Sequence, residues 1–335
     1  MREIGVAALV ASVVLSAASA FGQAAPPPPE GTPQAAVRRL AAELEANYTI
    51  PSIGKQYAAA LRAHLLNGDY DKPDTVALAA QLTADLQTVH RDGHVRVEVA
   101  GNGQSGSPHA VPRPPSVLKG VEETRWIAPG VAYIRFSVFL GSPQELAAVK
   151  AFMEDYATAK TIIIDARGHH GGGLSEMNVM LPYLYAKRSV LVDMDVSEAV
   201  AVRMGDPLDE DGLVRIDGPP GILRREHVVT PNPIEHRLFG AKVFYLTSAK
   251  TASAAEHLAL AFKRTHRATL VGEQTAGANH FGGEEPLGAG LAAFIPVGRT
   301  FDPDTGEDWE GRGVSPDVAV PADQALDVAV KLARA

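Results

Sequence analysis

Ser253 stands in the stretch Lys242 to His257, where an apolar run, Val243-Phe244-Tyr245-Leu246, gives way to small polar residues and then to good helix formers from Ala254. The apolar run is dense in aromatic and β-branched residues and reads as a buried strand. Leu258, Leu260, Ala261 and Phe262 supply the apolar face of the helix that follows. A serine on that turn presents its hydroxyl at a helix N-terminus, where unpaired N–H groups favour developing negative charge. Nucleophilic attack is one use of such a position. The other is capping, because Ser253-Ala254-Ala255-Glu256 also has the form of a capping box.

Three further places carry residue types that could join Ser253. His94 follows Asp92-Gly93 at the start of an alternating segment, Val95 to Val99, and is open to a catalytic or a structural reading. Gly171-Gly172-Gly173 follows the apolar strand Thr161 to Ile164. No Gly-Lys-Ser/Thr accompanies it, so it is not a phosphate loop. It is either a flexible turn or a backbone approach suited to an oxyanion. Glu310 lies in a polar loop, Asp302 to Asp317, built around Trp309, where an ordinary solvated charge is the alternative.

Composition narrows the chemistry. The chain has 335 residues, a formal net charge of −8 and no cysteine. Thiol nucleophiles, disulfides and thiolate metal sites are therefore excluded. No basic tract is long enough to follow phosphates, so nucleic acid is not an expected partner. Adjacent His169 and His170 point different ways and make a poor chelating pair, and no metal or organic cofactor is assigned.

The elements that must position these residues follow from patterning. Residues 1–20, with Arg2, an apolar run from Val6 to Leu15 and small residues at Ala18-Ser19-Ala20, have the form of a signal peptide. Export to the periplasm or the extracellular space is the expectation, with no stable membrane span after cleavage. Residues 21–34 form a proline-rich tether. Residues 35–100 are expected to form a helical cap ending in a strand, with helices over 35–47, 54–66 and 76–90. Residues 101–119, rich in Gly, Ser and Pro, form a linker. Residues 120–335 alternate apolar strands with helices, which indicates an α/β core covered on both faces. Within it, 204–233 is rich in Gly, Pro and charge and reads as an excursion over the surface.

Taken together, Leu86 to Val97, Ile162 to Gly173, Val243 to Glu256, Arg267 to Gly277 and Trp309 to Asp317 resemble the tail-specific, or carboxyl-terminal processing, serine peptidases. That family also contains the tricorn protease core and the repeats of interphotoreceptor retinoid-binding protein. The resemblance implies a Clp-protease/crotonase-like core with an N-terminal three-helix cap, a peptide or protein substrate, and Ser253 as nucleophile. The better-known branch pairs its serine with a lysine, whose position here is Ala278; Lys250 and Lys263 do not match it. In the tricorn-like branch a histidine and a glutamate take over, and these match His94 and Glu310. That branch can carry a relay serine where this chain has Gly93, so Glu310 must meet His94 directly, through water, or not at all. The resemblance places the oxyanion hole at the backbone of Ala254, Gly171 and Gly172. The segment at 101–119 is too short for the PDZ module of the processing peptidases. Two other functions use the same residues or fold: a non-catalytic carrier of hydrophobic ligands, and an esterase or amidase for small molecules.

Overall fold

The computed structural model describes residues 31–71, 74–100 and 119–334. The leader expected over 1–20, most of the tether and nearly all of the linker lie outside these residues. The described residues open with α1 (Pro33–Asn47), α2 (Pro51–Leu66), α3 (Thr75–Val89) and β1 (Arg96–Val99). Both of the first two helices begin earlier than the apolar pattern suggests, because a proline occupies the first turn of each. Proline's fixed φ and missing N–H suit that position. In α1, Thr32 caps the helix by accepting from Ala35 N–H. Asp74 caps α3 in the same way through Val76 N–H.

The three helices bury one stripe each: Val37, Leu40 and Leu44; Tyr57 and Leu61; Leu78, Leu82 and Leu86. The i, i+3, i+4 spacing of these residues is what gathers them on one face. Gly54 lets α2 approach α1 closely, since a Cβ there would lie 2.4 Å from Leu44 O.

The rest of the chain adds, in order, β2 (Val121–Ala128), β3 (Val131–Phe136), α4 (Pro143–Asp155), β4 (Thr161–Asp165), α5 (Ser175–Met180) and β5 (Ser189–Ser197). Then come α6 (Glu198–Met204), β6 (Leu213–Ile216), β7 (Ile222–Val229), β8 (Lys242–Thr247) and α7 (Ala254–Arg264). Last are β9 (Thr269–Gly272), β10 (Phe281–Gly288), β11 (Leu291–Phe301), β12 (Val318–Ala319) and α8 (Ala325–Arg334).

Among the described residues the strands form two six-stranded sheets. One has the order β12-β9-β8-β4-β3-β2 and is parallel except at the β2–β3 hairpin. Its central strands carry unbroken apolar runs, Ile162 to Ile164 in β4 and Val243 to Leu246 in β8, as a sheet covered on both faces requires. Val149, Leu258 and Phe262 cover one face with Ile162, Ile164 and Tyr245. Ala325 and Ala329 of α8 cover the other with Ile163, Phe244 and Leu246. The second sheet, β1-β11-β5-β7-β6 with β10 also on β11, is antiparallel. β1 pairs with β11, and the helical stripe packs on Leu291, Ala293 and Ile295 of that strand. The segment 204–233, expected as a surface excursion, instead supplies β6 and β7 to this sheet.

Candidate active site

β4 and β8 run side by side and end at the same level, so their two loops meet. Asp165, the last residue of β4, accepts from Tyr133 Oη at 2.7 Å and from Arg167 Nε at 2.9 Å. Burial alone would raise its pKa, yet Arg167 and Tyr133 outweigh it and hold the carboxyl below its ordinary value. The loop after it is laced to the β8 turn: Ser248 Oγ donates to Arg167 O at 2.6 Å, Thr251 Oγ1 to Ala166 O at 2.8 Å, and Ala252 N–H to His169 O at 3.0 Å. This brings Gly171 against Ser253. A Cβ at Gly171 would lie 2.7 Å from Ser253 Cβ and 3.1 Å from its Oγ, and only glycine fits readily at φ 109°.

Ser253 is exposed, at the N-terminus of α7, with φ 55° and ψ −121°. This is a strained conformation for a residue with a Cβ, and such strain gathers at active sites. It has the strand-turn-helix setting of a nucleophile elbow. Its N–H donates to Glu256 Oε2 at 2.8 Å, so the reach-back of a capping glutamate is present beside the exposed hydroxyl. Glu256 is fully buried and also accepts from Thr275 Oγ1, from Gly277 N–H at 2.7 Å and from Ala278 N–H at 2.8 Å. Burial raises its pKa, and these donors only partly offset the rise.

The next residues of that loop turn to a second glutamate. Asn279 and His280 N–H donate to Glu310 Oε2 at 2.8 and 2.9 Å. Glu310 Oε1 lies 3.0 Å from His94 Nδ1. The contact expected to be direct, through water or absent is therefore direct. A Cβ at Gly93 would lie 3.6 Å from the same oxygen, an ordinary van der Waals distance, so the contact does not depend on the glycine. A carboxylate on Nδ1 fixes the proton there and leaves Nε2 as the basic nitrogen. No hydrogen bond joins His94 to Ser253 among the described residues; the two are connected through neighbours 278 and 279, one held by Glu256 and the other by Glu310.

For an oxyanion, Ala254 and Gly172 N–H have no acceptor among the described residues. Gly171 differs from its expected role, because its N–H is already engaged by His169 Nδ1 at 3.0 Å. His169 is buried, and burial, with His170 nearby, lowers its pKa to about 3. It is a neutral acceptor that fixes the glycine loop.

Sequence reasoning missed Asp92, His280 and Asp308, which underlie the pair. Asp92 Oδ2 accepts from Tyr48 Oη at 2.8 Å and lies 2.7 Å from His280 Nδ1. The one available hint was local: an aspartate stands two residues before both His94 and Glu310, a spacing suited to Asx turns. Atoms of Asp92, His94 and Glu310 able to bind a metal lie within 4.8 Å of one another. A cation there would compete with the His94–Glu310 hydrogen bond.

A model of peptidase family S41 matches residues 130–320. A model of the family's N-terminal domain in eukaryotic interphotoreceptor retinoid-binding protein matches residues 31–126. Among solved structures, a candidate peptidase from Parabacteroides merdae superposes with a TM-score of 0.64 at 15% identity, over 91% of this chain and 97% of its own. The photosystem II D1 C-terminal processing protease gives 0.58 at 16% identity, over 87% and 94%. These likenesses show the fold, a Clp-protease/crotonase-like core carrying the N-terminal helices.

Proposed function

The chain belongs to peptidase family S41 and is a serine-type peptidase, and from that premise we propose that it cleaves peptide bonds through an acyl-enzyme on Ser253. His94 is the general base and Glu310 orients it. The observation that carries this reading is the 3.0 Å contact between His94 Nδ1 and Glu310 Oε1, with Glu310 itself fixed by two backbone donors. The strained, exposed Ser253 adds to it.

In the proposed reaction Ser253 Oγ attacks the scissile carbonyl carbon and its proton passes to His94 Nε2. Glu310 stabilises the resulting imidazolium. Negative charge on the former carbonyl oxygen is met by N–H groups of Ala254 and Gly172. Collapse breaks the C–N bond, His94 protonates the leaving amine, and water then hydrolyses the ester by the same route. The reaction requires a Ser253–His94 hydrogen bond in the substrate complex, where catalytic contacts that are long or poorly aligned in the free enzyme commonly tighten.

The substrate is a peptide or protein, and export is proposed from the charged and apolar pattern of residues 1–20. No helix among the described residues is long and apolar enough to cross a membrane. The test is fluorophosphonate labelling and peptide hydrolysis by wild type and Ser253→Ala. Labelling that survives the substitution overturns the assignment. A second reading, a carrier of hydrophobic ligands, draws on a cavity of about 410 Å³ between α1, α6, β10 and β11, lined in part by Val200, Phe281, Ile295 and Val297. Tight binding of a fluorescent fatty acid by a protein that hydrolyses neither peptides nor esters would favour it. A screen with both kinds of substrate separates peptidase from esterase.

A further inference from the structure

We propose that His280 is a positioning residue, which locks the segment bearing His94 to the segment bearing Glu310 by standing between Asp92 and Asp308. The proposal rests on reading His94 and Glu310 as base and orienting carboxylate.

The two segments are built alike. Asp92 Oδ1 accepts the N–H of His94 at 2.7 Å, and Asp308 Oδ1 accepts that of Glu310 at 3.1 Å. Each is an Asx turn, which fixes the backbone of the residue that carries the chemistry. The second oxygen of each aspartate faces one imidazole: Asp92 Oδ2 is 2.7 Å from His280 Nδ1, and Asp308 Oδ2 is 3.5 Å from Nε2. The amide of His280 closes the circuit by donating to Glu310 Oε2. One side chain thus touches both turns, and its own backbone holds the orienting carboxylate.

Nδ1 hydrogen-bonds Asp92, whereas the buried Nε2 stands at ion-pair distance from Asp308 and makes no hydrogen bond among the described residues; a carboxylate facing each nitrogen favours the doubly protonated, cationic ring. Burial opposes that charge, but Asp308 and Asp92 outweigh it and raise the pKa of His280 to about 9. Burial likewise opposes the charge on Asp92, yet His280, His94 N–H and Tyr48 bring its pKa down to about 2. The other groups facing the cluster are Tyr48, whose ring meets that of His280 edge-on at 6.2 Å, and Arg299, which reaches Asp308 at 3.4 Å and Asp195 at 3.5 Å. Burial, then Asp92, keeps the Tyr48 hydroxyl protonated. Removing the imidazolium leaves the buried Asp92 without its cation and Asp308 with Arg299 alone, so nothing charged then joins the two turns and they are free to separate.

The test compares His280→Gln, Asp308→Asn and the double variant with wild type. Glutamine keeps a donor, and asparagine keeps the acceptor of its turn; each removes one charge. A displacement of the base by about 1 Å costs on the order of 100-fold, so His280→Gln is expected to lower kcat by about that factor with KM within about threefold. The acidic limb of the kcat/KM profile should move up by about half a pH unit or more in His280→Gln, because a cation has left the base's surroundings, and down in Asp308→Asn. The double variant should lose less than the product of the single losses.

Wild-type kcat with an unshifted limb in a folded His280→Gln overturns the proposal, as do limbs that move the same way in both single variants. If His280→Gln fails to fold, the limb of Asp308→Asn decides alone. Amide exchange needs no activity: His94, Asn279 and Glu310 N–H should lose protection in His280→Gln while α7 keeps its own. Retained protection overturns the clamp. A wild-type protein that neither labels at Ser253 nor hydrolyses peptides defeats the triad reading, and the exchange result still decides the clamp.

Discussion

Glu310 meets His94 at 3.0 Å across 216 residues of sequence, and the oxygen that does not touch the imidazole is held by two backbone N–H groups. The carboxylate therefore cannot turn without breaking three contacts. Glu310→Gln keeps the shape but places either an amide oxygen or an amide N–H at His94. If the backbone donors retain the oxygen, the N–H faces Nδ1, selects the wrong tautomer and protonates Nε2. Activity is expected to fall by about 10²–10⁴-fold with little change in KM, by analogy with tautomer inversion in other triads. Steady-state hydrolysis of a peptide reporter checks this. Activity near wild type in Glu310→Gln would remove Glu310 from the mechanism.

Ser253 combines a reactive position with a backbone that a side chain disfavours, at φ 55°. Ser253→Gly and Ser253→Ala both delete the hydroxyl and should both abolish fluorophosphonate labelling. They differ in the strain they retain, because only glycine populates positive φ freely. Urea denaturation should find Ser253→Gly more stable than Ser253→Ala by about 1 kcal/mol. The reverse order would show that the turn is not strained.

Legibility in the sequence followed the range of the interactions. Leu78, Leu82 and Leu86 recur at helical spacing, and the apolar run from Val243 to Leu246 is continuous, so α3 and β8 could be read locally. Ser253, His94 and Glu310 were reached through a resemblance of ordered motifs, since a histidine and a glutamate so far apart carry no mutual spacing. Segment 204–233 misled because Arg224, Arg225 and Glu226 interrupt β7. The two arginines are answered from elsewhere: Arg224 Nε bonds Asp195 at 2.6 Å, and Arg225 pairs with Asp206. Composition cannot show that such a strand has its partners. His280 was silent for the same reason, its carboxylate at Asp92 being 188 residues away.

Gly171 should tolerate no side chain. In Gly171→Ala the new Cβ would fall 2.7 Å from Ser253 Cβ, at a φ of 109° that alanine rarely adopts. Either the nucleophile or the loop must move, and a loss of at least about 100-fold in kcat is expected for a displacement near 1 Å. Gly173→Ala serves as the control, because nothing lies within 4 Å of a Cβ built there. It should retain activity within about threefold. Equal losses in the two variants would mean that general loop stiffness, rather than contact with Ser253, is at issue.

Stability should fall on the alkaline side of neutrality because of His280. Its folded pKa, about 9, lies above the ordinary value of 6.5. The folded protein therefore holds a proton that the unfolded chain releases as pH rises between these values. The resulting stabilisation is fully present below about pH 6.5 and is lost as pH climbs through 9. Asp92 acts in the opposite sense: its folded pKa, about 2, is below the ordinary 3.8, so its contribution is present at neutral pH and disappears on strong acidification. Urea midpoints measured at pH 6, 7.5 and 9 should decline in wild type, and the decline should be smaller in His280→Gln, which has no proton to lose at that site. Identical slopes in the two proteins would show that the imidazole between Asp92 and Asp308 is not charged in the folded state.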